Sequence, residues 1–257
     1  MTKKILITGA NGQLGHEMRN ALKGNNRFEC IFTDVAELDI CNAEAVKQII
    51  ADNHIDYIVN CAAYTQVDKA EDNAELCKKI NTDAVENLAR AAATYGARMI
   101  HISTDYVFNG RAYRPYTEDV VPDPQSVYGS TKLEGEKILT DICPESIIIR
   151  TAWLYSPYGN NFVKTMLHLG EEREELSVVA DQIGTPTCAA DLAQAILVIL
   201  QADTFVPGTY HFSDEGACSW YDFTVTIHRL AGITTCRVTP IRSDEYPSKA
   251  HRPFYSV

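Results

Sequence analysis

The segment TGANGQLG, directly after the predicted strand KKILI at the N-terminus, constrains the fold of this chain more than any other feature. It places Gly9, Gly12 and Gly15 between a predicted first strand and a predicted first helix. There the first glycine allows a tight turn, the second lets backbone approach a pyrophosphate, and the third lets helix and strand pack closely. Glycines can also merely punctuate a turn, but this placement favours a dinucleotide-binding loop.

An acidic residue follows the glycine loop at the distance that such a loop requires. Asp34 ends the predicted second strand, roughly 20 residues farther along the chain. An acid there accepts hydrogen bonds from the adenosine ribose and repels a 2′-phosphate, which leans toward NAD without excluding NADP. The alternative is a solvent-facing carboxylate at a strand end. Asp39 and Ile40 come next, an acid and an apolar residue suited to flank an adenine ring.

Strand and helix patterns alternate over the first 150 residues. The apolar runs RFECIFTD, IDYIVNCA, RMIHIST and SIIIRTAW are separated by helical patterns, which predicts a parallel sheet covered on both faces. The fold class is therefore α/β, a Rossmann-type doubly wound parallel sheet with a smaller C-terminal lobe. We expect residues 1–150 to form the dinucleotide-binding domain and 151–257 mainly the substrate-binding lobe. About 176–200, with the strand LSVVAD and the helix DLAQAILVILQ, is expected to return to the main sheet.

Composition limits the partners and the compartment of the protein. The 257-residue chain has a formal net charge of −11, which argues against nucleic acid or an acidic membrane as the main partner. Its eight cysteines are scattered without a C-x-x-C pair, and its first residues carry no secretory signal. We therefore expect reduced cysteines in a cytoplasmic protein. No metal site is predicted, because the acidic run GEEREEL is typical of a solvated face.

Polar residues collect where the fourth predicted strand ends and on the helix after it. Thr104 and Asp105 of STDYVF lie at the carboxyl end of a strand, where open α/β sheets bind ligands; such residues also begin turns or cap helices. Tyr128 and Lys132 share one helical face, which alone is an ordinary surface pair. Together the motifs indicate that Thr104 binds a substrate oxygen and Tyr128 exchanges a proton with it. Lys132 is expected to lower the pKa of the tyrosine and to hold the nicotinamide ribose.

These motifs resemble those of the extended short-chain dehydrogenase/reductases, and more narrowly those of the dTDP-4-dehydrorhamnose reductase family. The likeness spans residues 8–256 and includes VNCAAYTQVDKAE, RTAWLYSPYGNNFVKTML, DQIGTPT and RPFYS. It implies reduction of the C4 keto group of dTDP-4-dehydro-L-rhamnose to dTDP-L-rhamnose by NADH or NADPH, with Tyr128 protonating the alkoxide. Some relatives dimerise, so the resemblance also allows a homodimer.

The resemblance further assigns residues to the two ligands. Besides Gly9 and Gly15, cofactor contacts are implied for Gly12, Gln13, Leu14, Asp34, Asp39, Ile40, Ala63, Tyr64, Thr65, Tyr128 and Lys132. Substrate contacts are implied for Val67, Thr104, Asp105, Trp153 and Arg252. Outside that resemblance, Trp153 is an ordinary core residue after a buried strand and Arg252 a solvated one. The planar fork of an arginine nevertheless suits a diphosphate.

Two other functions stay open on the sequence. Dehydratases of the same superfamily carry a glutamate after the Thr–Asp pair, where this chain has Tyr106, so reduction is favoured over dehydration or epimerisation. The regulatory β subunit of methionine adenosyltransferase also resembles this family, binds NADP and acts mainly as a protein partner. The presence of Thr104, Tyr128, Lys132 and Trp153 favours an enzyme over such a non-catalytic module.

Overall fold

The computed structural model describes residues 2–257. Its strands are β1 (Lys3–Thr8), β2 (Phe28–Thr33), β3 (Tyr57–Asn60), β4 (Arg98–Thr104), β5 (Ile147–Thr151), β6 (Leu154–Tyr155), β7 (Glu175–Val179), β8 (Ile183–Gly184), β9 (Thr187–Cys188), β10 (Gly208–His211), β11 (Cys218–Ser219), β12 (Arg237–Ile241) and β13 (Tyr255–Ser256). Its helices are α1 (Gln13–Leu22), α2 (Ala43–Asn53), α3 (Val67–Ala70), α4 (Ala74–Lys78), α5 (Ala84–Tyr95), α6 (Val127–Ile142), α7 (Phe162–Glu172), α8 (Ala189–Gln201) and α9 (Trp220–Ala231). A π-helical turn (Lys79–Asp83) joins α4 to α5, and 3-10 turns lie at Asp105–Val107 and Ser243–Glu245.

The main sheet has six parallel strands in the order β10-β5-β4-β3-β1-β2. Its inner strands are apolar and buried on both faces, as a parallel sheet covered by helices requires. One apolar cluster packs α2, α5 and α6 on one face, and a second packs α1 and α8 on the other. The predicted α/β, Rossmann-type doubly wound fold is confirmed, and its ligand side lies at the carboxyl ends of the strands.

The segment 176–200 returns to this sheet only through its helix. Helix α8 packs against α1, but β7 pairs in parallel with β12 in a separate two-stranded sheet. The prediction that LSVVAD joins the main sheet is therefore wrong, and the sixth strand is β10, beside β5. The reason is the one-sided burial of β7, whose alternate residues are exposed, whereas an inner strand of the main sheet is buried on both faces.

The second lobe is built around β7 and β12. Helices α7 and α9 cover this pair with their own apolar cluster, whose buried members are Met166, Leu176, Val178, Ile227 and Cys236. A three-stranded sheet, β11-β8-β13, brings the chain end beside β8. All eight cysteines are free thiols. Within residues 2–257, no helix combines the length and the apolar character needed to cross a bilayer.

Candidate active site

A cleft of about 550 Å³ opens at the carboxyl ends of β1, β2 and β3. Several predicted cofactor residues line it together, namely Gly9, Gly12, Asp34, Asp39, Ile40 and Ala63. The cleft also contains Asn11, Val35 and Lys79, which the sequence motifs did not single out. The carboxylate of Asp34 connects the end of β2 to the glycine loop, because it accepts hydrogen bonds from the N–H of Asn11 at 2.9 Å and of Val35 at 2.8 Å.

The glycine loop fits a dinucleotide because it leaves no room for side chains. Gly9 has φ +63°, and a Cβ there would lie 2.6 Å from the amide nitrogen of Ala62. A Cβ on Gly15 would overlap the carbonyl of Gly9 and the backbone of Ala10. Gly12 precedes α1, and no side chain caps that helix, so its first N–H groups are available to an anion. The residues present therefore suit the pyrophosphate of NAD(P)H.

Four further predicted cofactor residues lie around this cleft in different ways. Leu14 packs its side chain in the apolar core, which leaves its backbone to face a ligand. The side chain of Gln13 points to the second lobe, where it contacts Leu154 and Asn161. The backbone of Tyr64 is held on both its N–H and its C=O by Asn81, and Thr65 is exposed. Their contacts with the cofactor stay predictions.

Tyr128 and Lys132 are not a surface pair. Helix α6 begins after Ser126, whose hydroxyl caps the helix by accepting the N–H of Gly129 at 3.1 Å. Tyr128 is 9% exposed and Lys132 is 1% exposed. The ring of Tyr128 meets that of Tyr106 edge to face, with centroids 5.4 Å apart. The surface alternative for this pair is therefore wrong.

The pKa of Tyr128 is shifted in the direction opposite to the one expected from the sequence. Burial raises the pKa of Tyr128, a hydrogen bond with Thr104 opposes the change, and the charge of Asp105 adds to it. The prediction that Lys132 lowers this pKa is wrong, since the lysine Nζ turns to the carbonyl of Ile102 at 2.6 Å and to Nε2 of His101 at 3.2 Å. Burial also lowers the pKa of Lys132 to about 8.

Thr104 and Asp105 lie beside Tyr128 at the end of β4. The Thr104 hydroxyl donates to Oδ1 of Asp105 at 2.9 Å and accepts from the N–H of Tyr106 at 3.2 Å, so it caps the 3-10 turn as well as facing the site. Oδ2 of Asp105 and the hydroxyl of Thr151 are buried without a partner beside a cavity of about 40 Å³. Burial raises the pKa of Asp105 to about 6.

The remaining predicted substrate residues frame the same end of the sheet. Trp153 has φ +49° and stacks on Trp220 at a centroid distance of 3.4 Å, so one of its faces is already covered by protein. Val67 begins α3 and packs in the cluster that contains Tyr128. Arg252 forms an ion pair with Asp68 and donates to the Tyr106 hydroxyl at 3.0 Å. Its predicted role toward a diphosphate stays a prediction.

Comparison with known proteins gives the family. The family model described as the RmlD substrate binding domain matches residues 3–257. The chain is also 42% identical to the dTDP-4-dehydrorhamnose reductase of Aggregatibacter actinomycetemcomitans, over 97% of this chain and 88% of that protein. The chain belongs to the dTDP-4-dehydrorhamnose reductase family. The family resemblance predicted from its motifs is thus confirmed.

Two solved structures of this dTDP-4-dehydrorhamnose reductase family match the fold closely. The enzyme from Clostridium acetobutylicum has a TM-score of 0.95 and 51% identity, covering 98% of this chain and 89% of that one. The enzyme from Bacillus anthracis, solved in complex with NADP, has a TM-score of 0.96 and 42% identity, covering 100% of this chain and 90% of that one. The family fold therefore extends over both lobes.

Sequence reasoning about this reductase-family chain missed a buried ion pair behind the site. Glu136 and Arg150 are 3% and 7% exposed, and Nη2 of Arg150 lies 2.7 Å from Oε2 of Glu136. Ser103 donates its hydroxyl to the same carboxylate. The available signal was the spacing of Glu136, one further step of four residues after Lys132 on α6.

Among residues 2–257, no three His, Cys, Asp or Glu side chains cluster as a metal site requires.

Proposed function

We propose that this chain reduces the C4 keto group of dTDP-4-dehydro-L-rhamnose to dTDP-L-rhamnose with NADPH or NADH. Membership of the reductase family supports this function, and the NADP complex of the Bacillus anthracis relative supports the cofactor. The single observation that carries the proposal is the buried Tyr128 beside Thr104, on the ligand side of a sheet whose glycine loop fits a dinucleotide. Bound NAD(P)H supplies the hydride that reaches C4.

The side chains of the site have complementary tasks in this proposal. Thr104 turns its hydroxyl from Asp105 to donate a hydrogen bond to the substrate oxygen. Tyr128 gives its phenolic proton to the alkoxide that hydride transfer to the ketone leaves, which completes the alcohol. A reduction needs a donor that begins each turnover protonated. Burial raises the pKa of Tyr128, so the phenol keeps its proton at neutral pH. Lys132 lies on the same face and holds the nicotinamide ribose.

The ligands divide between the two lobes. We propose that residues 1–150, with α8 and β10, bind the cofactor, and that most of 151–257 binds the sugar nucleotide. The cofactor residues are those of the glycine loop and of the β2 and β3 ends, together with Tyr128 and Lys132. Substrate contacts are proposed for Val67, Thr104, Asp105, Trp153 and Arg252. The charge of −11 supports the proposal that the protein has no nucleic-acid or acidic-membrane partner. We also propose, from the resemblance to the family, that it is cytoplasmic and able to form a homodimer.

The test is a coupled measurement of cofactor oxidation and product. The purified protein is mixed with freshly generated dTDP-4-dehydro-L-rhamnose and with NADPH or NADH, and dTDP-L-rhamnose is quantified beside the absorbance change. We expect equal amounts of oxidised cofactor and product. Cofactor binding without any turnover contradicts the proposal and favours the non-catalytic module.

A tyrosine substitution tests the proton donor. Tyr128→Phe is expected to keep its affinity for the cofactor and to lose about 10²–10⁴-fold in kcat, because it removes general acid catalysis alone. The matched control is Tyr95→Phe, at the exposed end of α5, which should leave kcat unchanged. A Tyr128→Phe enzyme with normal kcat removes the tyrosine from the chemistry.

A further inference from the structure

Three buried polar side chains form a row across the main sheet that ends at Lys132. Thr8, Asn60 and His101 are direct neighbours on β1, β3 and β4. All three are at most 1% exposed. The row one residue earlier is apolar, with Ile7, Val59 and Ile100. Burying polar groups costs free energy unless each is hydrogen-bonded, so the directions of the bonds in this row matter.

The backbone fixes the orientation of Asn60. Its Oδ1 accepts the N–H of Ala62 at 3.2 Å and the hydroxyl of Thr8 at 2.6 Å. Its Nδ2 therefore faces Nδ1 of His101 at 3.0 Å. An amide NH₂ only donates, so Nδ1 of the histidine must accept, and the proton of a neutral ring lies on Nε2.

That proton points at Lys132. Nε2 of His101 lies 3.2 Å from the lysine Nζ, which also donates to the carbonyl of Ile102. An Nε2–H and an ammonium are both donors and cannot bond to each other, whereas an uncharged amine has a lone pair that accepts the proton.

The surroundings of His101 and Lys132 also shift the pKa values of both side chains. Burial, the largest influence on the pKa of His101, lowers it well below its ordinary value, which keeps the ring neutral. Burial is the largest influence on the pKa of Lys132 and lowers it, whereas Glu136 of α6 and Cys77 of α4 act in the opposite direction. The negative charge of Glu136 is itself paired with the guanidinium of Arg150.

We propose that His101 is a positioning residue for Lys132: Asn60 holds its Nε2–H tautomer, which stabilises the uncharged amine of the lysine. Because the pKa of Lys132 is about 8, the amine and the ammonium are both present near that pH, and acceptors offered by the cleft, such as ribose hydroxyls, favour the ammonium. This inference rests on the proposed function, in which Lys132 holds the nicotinamide ribose. It adds a polar row that connects the strand before the glycine loop with the catalytic helix.

The tautomer can be measured without any turnover. Protein labelled with ¹⁵N in its histidine rings and kept without added nucleotide is studied by NMR, and the His101 signals are identified by their loss in His101→Gln. We expect an unprotonated Nδ1 and a protonated Nε2 between about pH 6 and pH 9. An Nδ1–H tautomer or an imidazolium in this range overturns the inference. This outcome is independent of whether the protein reduces dTDP-4-dehydro-L-rhamnose.

A pH profile tests the effect on the lysine. Asn60→Asp replaces the amide donor with an acceptor, moves the histidine proton to Nδ1 and makes Nε2 an acceptor for an ammonium. The fall in kcat/KM for NADPH on the basic side, caused by loss of the lysine proton, is expected to move up by about one pH unit or more. His228→Gln is the control, because His228 is a buried histidine of the second lobe that bonds the carbonyl of Met166 at 2.9 Å; it should leave the profile unchanged. An unshifted profile in Asn60→Asp, with its histidine tautomer reversed by NMR, overturns the proposal.

Discussion

The buried charges of α6 show how single residues of this chain depend on their partners. Glu136 and Lys132 stand in the run TKLEGE, which has the composition of an exposed helix. In the fold both are buried: Glu136 is held by Arg150, and Lys132 by His101 and the carbonyl of Ile102. A buried ion pair adds little net stability, but a charge left without its partner is expensive.

The first residue-scale prediction concerns this ion pair. Arg150→Met leaves the Glu136 carboxylate buried without its partner and is expected to lower the free energy of unfolding by about 3–5 kcal/mol. The double variant Glu136→Leu with Arg150→Met removes both charges and should be markedly more stable than the single variant. Urea unfolding of the three proteins measures the difference. A double variant that is less stable than Arg150→Met contradicts this account.

The second residue-scale prediction concerns Asp105. Burial raises the pKa of this carboxyl from 3.8 to about 6. The fold therefore favours the protonated acid, and native stability falls as pH rises from about 4 through 6. Asp105→Asn removes this loss, because an amide does not titrate. We expect the variant to be about 2 kcal/mol more stable at pH 7 and no more stable below pH 4. Thermal unfolding across pH checks it, and a gain that is constant with pH argues against the titration.

At the scale of elements, the turn between β1 and α1 determines where a dinucleotide can lie. Two close approaches define it, that of Gly9 to the end of β3 and that of Gly15 to the backbone of the turn. Both depend on atoms brought together by the pairing of β1 with β3 and by the docking of α1. The motif is short in sequence, but its steric demand comes from the neighbouring elements.

The element-scale prediction compares two glycines in order to separate the cost of a positive φ from the cost of a clash between an added Cβ and the neighbouring backbone. Gly9 and Gly24 both have positive φ, at +63° and +76°, but a Cβ at Gly24 meets nothing within 4 Å. Gly24→Ala should therefore cost only the left-handed backbone penalty of about 1–2 kcal/mol and leave cofactor affinity unchanged. Gly9→Ala should cost more stability and weaken NADPH binding at least about tenfold. Unfolding curves and calorimetric Kd values test both, and equal effects of the two variants contradict the steric argument.

At the scale of the whole molecule, the chain end is tied across the site to α3. Oδ1 of Asp68 accepts from the hydroxyl of Ser248 and the N–H of Ala250, and its other oxygen pairs with Arg252. Burial acts to raise the pKa of Asp68, but the hydrogen bonds and the arginine outweigh it and hold the pKa below its ordinary value. The tie is therefore present at neutral pH and weakens as pH falls below about 4.

The whole-molecule prediction uses two neighbouring acids. Asp68→Asn is expected to speed amide hydrogen exchange in residues 248–256, because it removes the ion pair with Arg252. Asp72→Asn is the control: its partner Lys249 is exposed, and exposed pairs contribute little. It should leave exchange in that segment unchanged. The same increase in both variants shows that Asp68 has no special role in holding the chain end.

Local patterns predicted a large part of the fold and of the site. The apolar runs at the inner strands identified a parallel sheet, and the glycine loop, the STDYVF strand end and the Tyr–Lys spacing identified its ligand side. These predictions succeed because they depend on contacts within a few residues or on the general rule that parallel strands end at one edge. The strand LSVVAD was misplaced because local composition does not specify which strand it pairs with.

By itself, therefore, the sequence determined the fold class and the family, and it predicted the residues that carry the proposed chemistry. Only the tertiary structure decided which charges are paired, which carboxyl is left without a partner and what surrounds Lys132. The Glu136–Arg150 pair, the Thr8–Asn60–His101 row and the Asp68–Arg252 tie join residues far apart in the chain. The physical reason is that burial and hydrogen-bond direction, which set these charges and pKa values, arise from strand register and helix docking rather than from spacing along the chain.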